Sequence, residues 1–247
     1  MIEFKNMDQL PTEVKKKYIP YLQKFLELYL GEIRSAAIYG SATGQNYVPG
    51  KSDINSVIIM DEVGFSHLKR ALAVIAWGRK QRIASPLLLT KEYIHSSSDI
   101  FPIEFLDIKE NHILVYGEDF FSQLPINMAN LRLFCEHQIK GKLVRIRQAY
   151  LGSGLKAAAI EVLLKESLNS LIPIFRNLVR LKGRVVEVDK TKILEYLCEG
   201  FDLDTNIFQS IYKYRTHTQK MSLQVAQEFM EKYLQQLEKL TLAVDQL

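Results

Sequence analysis

Residues 35–60 read SAAIYGSATGQNYVPGKSDINSVIIM. An apolar run ends in Gly40-Ser41. A polar loop of eleven residues follows, and then an acidic residue, Asp53, opens a second apolar run rich in β-branched side chains. The pattern predicts a short strand over 33–39 running straight into a Gly-Ser turn, and a strand over 54–60 covered on both faces. Gly40 lets the backbone turn tightly and come close to a ligand. Ser41 offers a hydroxyl, and the amides after it are available to a phosphate. Asp53 and Asn55 are two apart on a strand and so share a face. They would bring two oxygen ligands to one magnesium or manganese ion, which in turn would hold a triphosphate. Lys51 and Ser52, next to Asp53, lie within reach of the same phosphates.

Outward from this stretch, the first half of the chain alternates helices and strands. Val14, Tyr18, Tyr21, Leu22, Phe25 and Leu26 recur at helical spacing over 10–30, with Pro20 as a point of kinking. A helix is expected over 64–80 and a third strand over 83–89, interrupted by Pro86. A fourth strand is expected over 101–108, with Pro102 marking an early or edge position. Past residue 125 the pattern becomes helical. Leu131, Cys135, Ile139, Leu143 and Ile146 form one stripe, closed by Gly152-Ser153-Gly154. Helices are expected over 155–181, with a kink at Pro173, and over 190–199, 205–215 and 221–244. Strands giving way to helices predict an α+β head followed by a helical bundle.

Composition narrows the function classes. The chain has 247 residues, is 47% apolar and 24% charged, and carries a net charge of +4. These values suit a soluble protein able to bury one or two cores. No apolar run is long enough to span a membrane, and the N-terminus lacks a signal-peptide pattern, so a cytoplasmic protein is expected. The two cysteines, Cys135 and Cys198, sit in apolar helical contexts and read as buried thiols. The five histidines show no paired ligand spacing, so zinc is not expected. Two basic stretches, Lys140–Arg147 and Arg176–Arg184, would grip phosphates or simply face solvent. Without interleaved aromatics they do not argue for nucleic acid.

The strand, the turn, the spacing and the acid together resemble the nucleotidyltransferase superfamily. Its pattern is a strand, Gly-Ser, about ten residues, Asp-x-Asp or Asp-x-Glu, and a third carboxylate on a later strand. The resemblance covers residues 34–120 and is nearest in flavour to the bacterial aminoglycoside adenylyltransferases, whose turn also reads Gly-Ser-Ala and whose strand begins Ser-Asp-Ile. It implies a small mixed-sheet head over 1–125 and an all-α bundle over 126–247. The implied activity is transfer of a nucleoside monophosphate from a nucleoside triphosphate to an acceptor hydroxyl on a small molecule or protein, with Mg2+ or Mn2+. Gly40, Ser41, Lys51 and Ser52 would contact nucleotide, and Asp53, Asn55 and Glu104 would hold metal.

The resemblance also implies catalytic roles for Asp53 and Glu104. Ile103-Glu104-Phe105 matches the family's third-acid context, where the carboxylate acts as general base, and Asp107 is the reserve. Tyr116-Gly117-Glu118-Asp119 resembles a Gly-Glu between head and bundle, or is a turn and cap. In such relatives the bundle shapes the acceptor site or a homodimer interface. The sequence departs from the pattern at Asn55, whose amide brings no charge to a second cation. That departure opens the alternative of a degenerate head serving as nucleotide sensor or interaction module.

Overall fold

The computed structural model describes residues 2–44, 47–185, 189–214 and 221–247. The chain divides into two compact units, Met1–Ile126 and Asn127–Leu247.

The first unit is built on four strands in the order β3-β2-β1-β4. β1 (Ile33–Tyr39) pairs antiparallel with both β2 (Asn55–Met60) and β4 (His112–Gly117), while β3 (Leu87–Leu89) runs parallel to β2. Alternation along the strands sends side chains to two apolar layers. Ala36, Ile38, Ile54, Ile58 and Met60 meet α1 (Thr12–Leu28) and Ala71 of α2 (Phe65–Lys80). Ala37, Val57 and Ile59 meet Ile94 of α3 (Lys91–Ser97), Phe105 and Ile108 of α4 (Pro102–Glu110), and Phe121 with Leu124. α1 stays one helix through the exposed Pro20, and its buried stripe is the one expected. α2 approaches α1 closely at Gly78, where a Cβ would fall 2.4 Å from the Tyr21 ring.

Two elements differ from the sequence expectation. Residues 101–108 lie not in a strand but in α4, and the fourth strand follows it as β4. Pro102 occupies the first helical turn, where its missing N–H goes unmissed and its fixed φ is already helical. Ile103 with Leu106, and Phe105 with Ile108, are three apart, so what reads as alternation is two pairs on opposite sides of a short helix buried on both. The expected strand over 83–89 shrinks to Leu87–Leu89, preceded by a single parallel bridge from Ile54 to Ile83.

The second unit is all helical: α5 (Met128–Gly152), α6 (Ala157–Leu181), α7 (Lys190–Phe201), α8 (Thr205–Tyr214) and α9 (Leu223–Asp245). α6 is the central element and packs against the other four. Its buried side chains run from Ile160 through Leu164, Leu168, Leu171 and Phe175 to Val179. α5 stops at Gly152, where expected. The expected helix over 205–215 is observed to Tyr214, and residue 215 lies outside the described residues, as does His217. Among the described residues, no helix is long and apolar enough to cross a membrane.

Candidate functional site

The site starts from the turn after β1. Gly40 has φ +75°, a conformation that costs any other residue about 1–2 kcal/mol. The chain then makes one 3-10 turn, Gly40–Thr43, pinned inside by Ala42, while Ser41 stays half-buried. In register, Tyr39 of β1 sits opposite Asn55 of β2. A Cβ on Gly40 would lie 3.6 Å from the Asn55 side-chain nitrogen. The glycine and the asparagine of the signature therefore meet, and Asn55 is the first residue of β2.

Asp53 lies just ahead of β2, with the buried Ile54 between it and Asn55. Its carboxylate is engaged within the chain, 3.2 Å from the guanidinium of Arg82, and both side chains are about half exposed. Arg82 also donates to the Lys51 carbonyl at 2.6 Å. Backbone bonds hold the two segments together: Ile54 N–H to Arg82 O at 2.9 Å, and Ala84 N–H to Ile54 O at 3.0 Å. The preceding loop is closed on itself, with the Ser52 hydroxyl accepting from Val48 N–H at 3.0 Å. The Ser52 oxygen expected to face phosphate therefore closes a turn, and Lys51 keeps an exposed side chain.

Arg82 was not among the sequence candidates. It stands just past the end of α2, where Ile83 N–H bonds to Gly78 O at 3.0 Å and Arg82 N–H to Arg79 O at 3.1 Å. This double bond pattern closes many helices on a left-handed residue, most often glycine. Here that residue is an arginine at φ +61°. An arginine where a helix should end in glycine is the signal the sequence offered.

The third carboxylate expected from the family pattern has no strand to sit on. Glu104 is in the first turn of α4 and is exposed, whereas its neighbours Ile103 and Phe105 are buried. Asp107 shares that helix. On the side of β2 away from β1 lies β3, and it carries Leu87-Leu88-Leu89. Among the described residues, no three His, Cys, Asp or Glu side chains are grouped to hold a metal ion. A divalent cation of the kind the fold family uses is therefore poorly matched by this donor set. One carboxylate is ion-paired to arginine, one position offers only an amide, and the adjacent strand is apolar.

The other candidates resolve as structure. Asp119 ties its own turn, accepting from Phe121 N–H and Ser122 N–H at 3.0 Å each and facing His112 Nε2 at 3.1 Å. Burial opposes its ionisation, but the hydroxyl and amide of Ser122, the nearby His112 and the amide of Phe121 together hold its carboxyl below the usual range. In the basic stretches, Lys140 pairs with Glu136 at 2.5 Å, Arg147 with Glu238 at 2.6 Å and Arg184 with Glu199 at 2.6 Å. Cys135 and Cys198 are free and buried. Burial pushes their thiols up to about 12 and about 11, so neither is a ready nucleophile or ligand. At the opposite end of the sheet a pocket of about 220 Å³ is lined by Arg34, Asp61, Lys91, Glu92, Glu118 and Phe120. Of these, Glu118 belongs to the Gly-Glu singled out in the sequence, and the others did not stand out there.

A small mixed sheet of this order, with the Gly-Ser turn leading to the strand that Asp53 precedes and a helical unit after it, is a nucleotidyltransferase-like fold. The crystal structure of spectinomycin adenyltransferase AAD(9) from Enterococcus faecialis with ATP and spectinomycin matches it with a TM-score of 0.53 at 11% identity, covering 90% of this chain and 99% of that one. At that identity the likeness is one of fold. No protein-family model matches the chain, and no curated protein matches it in sequence.

Proposed function

We propose that the first unit binds a nucleoside triphosphate through the Gly40-Ser41 turn without transferring it, and that the protein works as a nucleotide sensor or nucleotide-dependent interaction module. The observation that carries this reading is the Asp53–Arg82 ion pair. The one carboxylate of the signature is neutralised inside the chain, beside Asn55 and a strand of leucines. Two-metal phosphoryl chemistry needs anionic ligands that gather two cations near the α-phosphate, and this arrangement gathers none. Gly40 and Ser41, with the exposed Lys51, would contact phosphates, and Glu104 then takes no part as base or metal ligand.

ATP, present with the solved neighbour, is the first nucleotide to try. The test incubates the purified protein with labelled ATP, GTP, CTP and UTP and Mg2+ or Mn2+, adding a protein extract and, separately, aminoglycosides as acceptors. Nucleotide should bind without pyrophosphate release, and Asn55→Asp should raise metal affinity by restoring a charge. Pyrophosphate release that disappears in Asp53→Ala would overturn the proposal and establish a transferase.

A further inference from the structure

We infer that Arg82 takes the place of the divalent cation, so that this head binds the phosphates of a nucleotide without metal. The inference rests on the nucleotide-binding reading above and goes further by naming the group that neutralises the phosphates.

Three independent features converge on Arg82. It contacts the signature acid, lying 3.2 Å from Asp53, at the position where a metal ligand is expected. It is fixed rather than swinging free, because the same guanidinium donates to the Lys51 carbonyl at 2.6 Å and its backbone is bonded to Ile54. And it holds a left-handed backbone, φ +61°, that glycine would adopt without strain. Backbone strain of this sort collects at functional positions.

The guanidinium is chemically fit for the task. It is permanently charged, about half exposed, and keeps donors beyond those used by Asp53 and Lys51, since the group carries five N–H bonds in a planar fork. Forked N–H donors match two oxygens of one phosphate. A metal would instead need anionic oxygen donors, and Asn55 with Leu87-Leu88-Leu89 supply none. The local charge is also right for a polyanion. The two segments joined by the Ile54–Ile83 bridge carry Lys51, Arg79, Lys80 and Arg82 against a single carboxylate, Asp53.

The test is calorimetric titration of the full chain with ATP, GTP, CTP and UTP, in EDTA and again in excess Mg2+. The expected result is binding in EDTA, not strengthened by Mg2+. Arg82→Ala should weaken it about tenfold or more, the size of one lost charge-assisted contact. Arg82→Gly should weaken it equally while holding or raising the thermal midpoint, because glycine relieves the left-handed backbone. That pairing separates a binding role from a purely structural one. Asp53→Asn should tighten binding a few-fold by removing a repelling charge, whereas a metal site would lose affinity.

Binding that requires Mg2+ overturns the inference and leaves the nucleotide-binding reading standing. Equal affinity of Arg82→Gly and wild type in EDTA, or a gain in Arg82→Ala, overturns it too, the gain marking Arg82 as a plug. No binding in either buffer removes both readings.

Discussion

The two ends of the β1–β2 pair are built from the same kinds of residue and put to different uses. Where β1 begins, Arg34 grips Asp61 with two hydrogen bonds of 2.7 and 2.6 Å, and the Lys5 amine donates to the Gly117 carbonyl at 2.8 Å. Gly117 there has φ +78°, and a Cβ on it would fall 1.9 Å from the Arg34 carbonyl oxygen. Where β1 ends, Gly40 has nearly the same φ, +75°, yet the nearest atom to its Cβ position is 3.6 Å away. One glycine is demanded by contact and conformation, the other by conformation alone. A left-handed glycine with room above it leaves the backbone accessible, which is what a phosphate turn needs.

The largest expected effect breaks the contact-bound end. Gly117→Ala should destabilise the first unit by more than about 3 kcal/mol, since a methyl cannot share space with a backbone carbonyl and must also hold φ positive. Urea unfolding followed by the fluorescence of Trp77, the single tryptophan, reads this unit directly. Gly40→Ala should cost about 1–2 kcal/mol in the same assay, the conformational part alone. If the two alanines destabilise equally, the distinction between the ends is wrong. Nucleotide affinity sharpens it: Gly40→Ala should lose ATP binding while still folded.

The smallest effect comes from Arg34 and Asp61. Hydrogen bonding to Arg34 holds the Asp61 carboxyl below the usual carboxylate range, against an opposing effect of burial and with the Arg34 charge adding. A carboxyl with its folded value below the unfolded one stabilises above the unfolded value of about 3.8 and loses that contribution as pH falls through the folded value. Both side chains are about half exposed, so solvent and salt screen the pair. Asp61→Asn should therefore move the thermal midpoint only slightly at pH 7, with the difference from wild type shrinking in strong acid and in high salt. A large shift that high salt erodes would mean that this end is held by electrostatics rather than by packing.

The sequence read well where chemistry is local. Gly40 and Ser41, after one apolar run and ahead of a β-branched one, specify a turn through backbone conformation and strand propensity, both properties of a few adjacent residues. α1 and α5 were legible because helical periodicity repeats over many turns. Residues 101–108 misled because eight residues with a proline near the start are too few to separate a period of 2 from one of 3.6. With that helix, the strand that tied Glu104 to the family's third acid disappeared.

What the sequence by itself determined is the identity of the groups: a glycine free to adopt positive φ, an acid two residues before an asparagine, and no charge in Leu87-Leu88-Leu89. Only the tertiary structure decided which of them meet. The parallel bridge from Ile54 to Ile83 brings Arg82 to Asp53 and sets the leucine strand beside β2. Such pairing depends on how a chain closes between distant segments, and the entropy of closing that loop depends on its length rather than on its residues in any readable order. The signature at residues 40–55 was visible at once; the arginine that neutralises its acid became visible only when α2 and β2 came together.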